Sequence, residues 1–150
     1  VSAVLGRTFD DTDDQPGGGP GGPVTVVSFG FWQRRYAGAA DVLGQTLTVE
    51  GVPFTIVGVT PPDFFGPDGG RRFDIIVPLE TEPLVRGRRS LVVNKNGLWL
   101  AMMVRLKPAQ TIESATAALR GVQPRIREAT MPTRYNQQRR TQYMRQPWTL

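Results

Sequence analysis

Polar and apolar residues alternate most regularly between residues 45 and 60. Thr46, Leu47, Thr48, Val49 and Glu50 change character at every step, Glu50-Gly51 breaks the pattern, and Phe54, Thr55, Ile56 and Val57 resume in β-favouring residues. A period of two interrupted by a turn signal predicts a β-hairpin with strands near 45–50 and 53–60. Upstream, residues 2–9 read as an extended lead-in, and Val24 to Val27 as a strand. Ser28 is placed to cap a short helix over 29–37, with Gly38 as its stop and "ADVLG" as a turn. "FDIIVPL", 73–79, reads as a buried strand closed by Pro78, and residues 80–97 as irregular and Arg-rich. "LWLAMMVRLK", 98–107, predicts another strand. Thr111 then caps a helix over about 112–129, whose residues Ile112, Ala115, Leu119, Val122 and Ile126 share one face. Pro124 inside that pattern predicts a kink or an early stop, and the polar stretch 130–147 a loop.

Composition narrows this picture. The chain has 150 residues, of which Gly and Pro make up 30, favouring short strands and many turns over a helical bundle. There is no Cys and no His, which removes thiol nucleophiles, disulfides, the usual zinc ligands and the commonest general base near neutral pH. No apolar run approaches the ~20 residues of a membrane helix. The first residues lack a signal-peptide pattern and a starting Met, so the chain reads as a piece of a larger protein. The net charge of +5 is unevenly spread, −4 over residues 1–66 and +9 over 67–150. That asymmetry points to an acidic partner for the second half, a nucleic acid or a membrane surface.

Several clusters invite a chemical reading. Asp10, Asp11, Asp13 and Asp14 would suit Ca²⁺ or Mg²⁺, but Gln15, Pro16 and Gly22 stand where an EF-hand needs ligands and its Gly, so a solvated acidic turn is favoured. "GGGPGG", 17–22, precedes a strand and no Lys follows, which fits a flexible linker and not a phosphate cradle. Arg71, Arg72, Arg86, Arg88, Arg89, Arg134, Arg139, Arg140 and Arg145 form basic clusters, the last group interleaved with Tyr135, Tyr143 and Trp148. Single-stranded nucleic-acid grooves combine such residues, yet no known recognition motif accompanies them. Trp32 and Tyr36 stand four apart, as residues packing a helix on a sheet do. Phe64 and Phe65 in "PPDFFG" either plug the core, the favoured reading, or contact a partner. Ser2, Ser28, Ser90 and Ser114 sit in no nucleophile motif, so no enzymatic activity, cofactor or metal is expected.

The order of motifs carries more information than any one of them. "LGRTF", with Gly6, Arg7 and Phe9, comes first and is followed by the acidic stretch. "VTVVSFGFWQRRYAG", with Trp32, leads into "DVLGQTLTVEGVPFTIVGVTPPDFFG", with Gly44, Gly51, Phe54, Val57, Gly58 and Pro62. "DIIVPL" supplies Pro78 and Leu79, and "VRLKPAQTIESATAAL" supplies Leu106 and Pro108. Over about residues 5–120 this series resembles the periplasmic core domain of MacB-like ABC transporter permeases, in particular the long, FtsX-like permeases of acidobacterial type. Ala109-Gln110 stand where relatives usually carry a Gly, and the "GGGPGG" insert lengthens the acidic loop.

The resemblance implies an α+β, two-lobed extracytoplasmic domain set between transmembrane helices of an inner-membrane permease. Residues 1–23 would form the lead-in strand and acidic, Gly-rich loop, and 24–79 a small, mostly β lobe. Residues 80–97 would be an Arg-rich loop, and 98–150 a strand and helix returning to a β-α-β lobe like those of efflux-pump porter modules. The domain would transmit conformational change without doing chemistry. Its partners would be the transmembrane helices, a cytoplasmic ATPase and a periplasmic adaptor, with Phe64 and Phe65 as candidate contacts and nucleic acid disfavoured. The alternatives of another class are a basic nucleic-acid-binding module and a secreted glycan-binding β module, the latter motivated by Phe64, Phe65 and Trp99.

The resemblance raises two expectations, since it also implies that further strands of the β-α-β lobe lie outside residues 1–150. Apolar spans are expected on both sides of the segment in its reading frame. The 150-residue chain by itself is expected to be marginal, because exposed Leu119 and Ile126 would each forfeit ~1.5–3 kcal/mol of burial. A thermal scan followed by circular dichroism checks this, and a cooperative melt above about 65 °C contradicts it.

Overall fold

A computed structural model describes residues 2–66, 72–97 and 99–150. The chain divides into two compact units, Val1–Val92 and Val93–Leu150. Among the described residues it is mixed α/β, with one open five-stranded sheet and four α-helices.

The sheet is built around one strand. β1 (Leu5–Gly6), β2 (Val24–Val27), β3 (Thr46–Val49), β4 (Val52–Val59) and β5 (Ile75–Ile76) all belong to it. β4 pairs antiparallel with β3 over its first half and with β1 at Gly58 and Val59. β2 runs parallel to β4 and covers the opposite edge from Thr55 to Val59, so β1 and β3 must share the other edge in succession. β5 closes the far side of β2, antiparallel.

β4 changes partners at a bulge. Thr25 faces Ile56 but Val26 faces Gly58, leaving Val57 as the extra residue. Before the bulge, Ile56 exchanges backbone bonds with the end of the preceding loop: its N–H donates to Gln45 O at 2.9 Å, and Gly44 N–H donates to Ile56 O at 2.8 Å. After it, Arg7 N–H donates to Val57 O at 3.0 Å and Val4 N–H to Val59 O at 2.9 Å. The crossing is too close for side chains. A Cβ on Gly58 would lie 2.0 Å from the Arg7 carbonyl oxygen, and one on Gly6 2.2 Å from that of Val57. Gly6 also sits at φ +70°, in the left-handed region that glycine enters freely.

The hairpin forms as the alternation predicts, with Leu47 facing Phe54 and Val49 facing Val52. Its two turn residues, Glu50 at φ +49° and Gly51 at φ +83°, both take the left-handed conformation of a tight hairpin turn. Val27, Val42, Leu47, Ile56 and Val59 form the core, and Leu5, Phe31, Trp32, Tyr36, Val49 and Ile75 pack on it. Phe31, Trp32 and Tyr36 belong to α1 (Phe29–Tyr36). Ser28 Oγ caps it by accepting from Phe31 N–H at 3.1 Å, as the sequence implies. "ADVLG" holds a 3₁₀ turn at Ala40–Val42 that buries Val42.

Other expectations are corrected. The strand expected over 73–79 shrinks to Ile75–Ile76, because Asp74 turns outward to pair with Arg34 and a 3₁₀ turn begins at Leu79. Residues 80–97 are not irregular throughout. A 3₁₀ turn at Leu79–Thr81 leads into α2 (Glu82–Arg86) and a second 3₁₀ turn at Gly87–Arg89. Pro83 in the first turn of α2 needs no N–H partner there.

The second unit departs further. Leu98 lies outside the described residues, and residues 99–107 form no strand. A strand exists only by pairing, and no described backbone pairs with this one, so Leu100, Met102, Met103 and Val104 are exposed. α3 (Ile112–Ala129) forms with the expected cap, in which Thr111 Oγ1 accepts from Ser114 N–H and Ser114 Oγ from Thr111 N–H. It runs through Pro124 with no early stop. The expected apolar face is only partly covered: Ala115 is buried and Leu119 half-buried, but Ile112, Val122 and Ile126 are exposed, and Gln123 and Arg127 are buried in their place. The expected loop after 130 contains α4 (Gln137–Arg145), capped by Asn136 Oδ1 on Arg139 N–H.

Gly58→Ala is expected to destabilise the chain by about 2–4 kcal/mol, since the added methyl meets backbone that cannot retreat without breaking the β1–β4 pairing. Urea unfolding checks this, and a midpoint equal to that of the parent chain would refute the close-approach argument.

Candidate functional site

The loop after β4 presents the first candidate site. Thr60 N–H donates to Val27 O at 2.9 Å, and Phe64 N–H to Pro61 O at 3.1 Å, so the chain turns sharply over the sheet edge. The two phenylalanines part company there. Phe64 is half-buried and meets Phe73 edge to face, with ring centres 5.7 Å apart. Phe65 is 54 % exposed. Phe64 thus packs on a neighbouring ring outside the buried core, and Phe65, which lies past the turn, plugs no core. A cleft of about 260 Å³ is lined by Phe29, Pro61, Pro62, Phe64, Phe65 and Phe73, with Arg72 and the 2.6 Å Arg34–Asp74 ion pair also on its wall. A second cleft of about 290 Å³ shares Pro61 and Phe64 and adds Phe9, Val26, Thr60 and Ile76. The second is an apolar recess suited to taking up an apolar side chain, whereas the first sets an aromatic and proline wall beside the charged Arg34, Arg72 and Asp74.

Three of the four serines considered as nucleophiles are occupied elsewhere. Ser28 caps α1, Ser114 closes the capping box of α3, and Ser90 Oγ donates to Glu82 at 2.6 Å. Glu82 also accepts from Leu91 N–H at 3.0 Å. Burial pushes the Glu82 carboxyl up, but these bonds and Arg86 outweigh it and hold the group below its ordinary value.

The acidic cluster is structural glue. Asp13 is buried and receives both terminal nitrogens of Arg7, one at 2.9 Å, together with Asp10 N–H at 3.0 Å. Asp10 accepts from both the N–H and the hydroxyl of Thr12, and Asp14 from Glu80 N–H at 2.9 Å. Three of the four carboxylates thus point at groups of this chain, and no three acidic residues gather as a metal site among the described residues. The solvated-turn reading is corrected for Asp13, whose partner Arg7 lies six positions back and is invisible to local patterning.

Arg127 and its aromatic neighbours in the second unit are likewise committed. Arg127, 2 % exposed, lies over the Tyr143 ring at 4.5 Å and the Trp148 ring at 5.2 Å. Its guanidinium donates to the carbonyls of Tyr143 and Gln146, and Gln123 bridges Gln146 O and Trp148 N–H. Tyr135 meets Tyr143 edge to face. The aromatics suspected of stacking on bases therefore stack on an arginine and on each other. Sequence reasoning missed Arg127 and Gln123, because a polar pair inside an amphipathic pattern carries no mark of burial. Arg71 lies outside the described residues.

The MacB-like periplasmic core domain matches this sequence over residues 1–122. The chain belongs to that family. It is a periplasmic domain of the kind carried by ABC transporter permeases, and no described helix is long and apolar enough to cross a membrane. No curated protein and no solved structure matches it.

Most of the MacB-like motif residues fall into three places. Gly6, Val57 and Gly58 form the β1–β4 crossing, and Arg7 leaves it to clamp Asp13. Gly44 at φ +80°, Gly51 and fully buried Phe54 shape the hairpin, while Trp32 Nε1 donates to Ala39 O at 2.8 Å behind it. Phe9 and Pro62 line the clefts flanking Phe64. Pro78 is buried and Leu79 exposed. In the second unit Leu106 is half-buried, and Pro108 precedes Ala109, which takes the left-handed region at φ +64°.

The Arg7–Asp13 pair gives the MacB-like domain an acid sensitivity of known sign. Arg7 holds the Asp13 carboxyl below its ordinary value, more than burial raises it. A depressed carboxylate adds stability above its unfolded value of about 3.9, and this is lost as pH falls through the lower folded value. Asp13→Asn is expected to cost about 1–2 kcal/mol near pH 7, discounted for the half-exposed Arg7, and to flatten the loss of stability below about pH 4. Urea midpoints between pH 2.5 and 7 check this, and parallel curves for parent and variant would refute it.

Proposed function

We propose that this chain is a non-catalytic, two-lobed extracytoplasmic domain of an ABC-type export permease that relays the ATPase cycle to a periplasmic partner or substrate. The family match over residues 1–122 carries this reading. Three features support it. The sheet is held in one register by the hairpin, the bulge and the glycine crossing, as a part that transmits force without deforming requires. The polar residues that might do chemistry are engaged in holding loops and caps. Phe65 projects beside an aromatic and proline-lined cleft, the arrangement of an apolar contact point. The transmembrane helices and a cytoplasmic ATPase would be the driving partners, and an adaptor protein the receiving one. A relay needs two arrangements whose balance depends on nucleotide.

The absence of native cysteine in this chain makes the test direct. Spin labels at Glu50→Cys in the hairpin turn and Gln138→Cys in α4, within the assembled permease and ATPase, are expected to show different distance distributions without nucleotide and with ATP trapped by vanadate. Identical distributions in both states would overturn the relay. Phe65→Ala is expected to lower transport about 10-fold, as loss of a contact hot spot does, with basal ATP hydrolysis unchanged. Unchanged transport would remove Phe65 from the contact.

A further inference from the structure

The charge of the second unit is segregated. Residues 129–150 contain four arginines, Arg134, Arg139, Arg140 and Arg145, and no acidic residue. Among the described residues none of the four takes part in an ion pair. Arg134 and Arg140 donate to backbone carbonyls, of Asn96 at 2.6 Å and of Tyr135 at 3.1 Å, which fixes their stems and leaves their charge uncompensated. A polar furrow follows α4. One part, about 280 Å³, is lined by Arg134, Tyr135, Arg139 and Gln142; the next, open and shallow, by Gln138, Thr141, Gln142 and Arg145. Gln142 and Gln146 belong to both parts. The charged groups that line it are arginines and the rest amides, the Thr141 hydroxyl and the phenols of Tyr135 and Tyr143, a donor-rich surface with no carboxylate to repel an anion.

We infer that this furrow docks on the phosphate headgroups of an anionic phospholipid surface. Guanidinium forks match phosphate oxygens, and several clustered arginines give the additive attraction that a charged bilayer rewards. Nucleic acid would use the same charge but also needs free ring faces to stack on; of the two rings on the furrow wall, Tyr143 already carries Arg127 over one face and meets Tyr135 edge to face. The inference rests on the permease reading only for the presence of a membrane near this domain. Vesicle binding by the chain can fail while the nucleotide-driven relay stands, and the reverse.

The test is co-flotation of the 150-residue chain with vesicles of phosphatidylcholine containing about 30 mol % phosphatidylglycerol, at low salt and at ~0.5 M NaCl. Binding is expected on these vesicles, not on pure phosphatidylcholine, and is expected to vanish at high salt. Arg139→Gln with Arg145→Gln should weaken partitioning roughly 30-fold, about 5-fold per arginine. Arg88→Gln with Arg89→Gln removes the same charge from the first unit and should change it less than 2-fold, roughly the scale of a non-specific charge effect. Circular dichroism spectra matching the parent's establish that each variant is folded. Equal binding to neutral vesicles, or equal losses in the two double variants, would overturn the proposal. So would displacement by a few millimolar inorganic phosphate at constant ionic strength, which marks a small-anion site, or tighter binding to single-stranded DNA than to the vesicles.

Discussion

The close passage of β1 across β4 is the constraint from which the first unit is organised. Two glycines face each other there, each without room for a Cβ against the other strand's carbonyl. The crossing comes just after the bulge at Val57, where β4 leaves β3 and takes up β1 on the same edge. A bulge adds twist and a local bend, so the edge that β3 vacates is turned toward the incoming strand. Because β4 is then bonded on both sides through Val59, the core residues Ile56 and Val59 keep a fixed outlook toward Val27, Val42 and Leu47. Arg7 leaves the crossing with its direction set, which is why its guanidinium reaches a carboxylate six residues away.

Much of this was legible in the residues, and the parts that were not share a cause. Thr46 to Val59 announced themselves because alternation, turn chemistry and β propensity agree there. Ser28 and Thr111 announced helix starts for the same reason: caps act within three residues. Residues 73–79 misled because an apolar run says only that something is buried, while Asp74 answered to Arg34 forty positions earlier. Residues 99–107 misled more strongly, since propensity cannot supply the neighbouring strand that a β conformation needs. Gly6 and Gly58 were visible as motif members, but their reason is a distance between two strands that no single-chain pattern encodes. The same holds for the candidate site, where Phe64 and Phe65 look equivalent in sequence and differ in burial because the turn rotates one inward.

The second unit obeys another logic. Its long helix buries a glutamine and an arginine and exposes isoleucines and a valine. A buried guanidinium is tolerated there because carbonyls and two aromatic faces replace its hydration. The result is a small assembly held by oriented polar contacts, in which Arg127 acts as the post for α4 and the residues after it. The first unit is held in the opposite way, by a compact aliphatic centre.

The acidic loop is moored at the end of its first turn, by Asp13 on Arg7 and by Asp14 on the backbone of Glu80. In the glycine-rich run beyond it, Gly18 and Gly19 have no room for a Cβ, against Pro23 and the Thr12 carbonyl, while Gly21 and Gly22 open on empty space. Packing upstream and open space downstream make the Gly21–Gly22 step a natural splice point. A foreign epitope, affinity handle or fluorescent reporter inserted there would ride on the domain without entering its architecture.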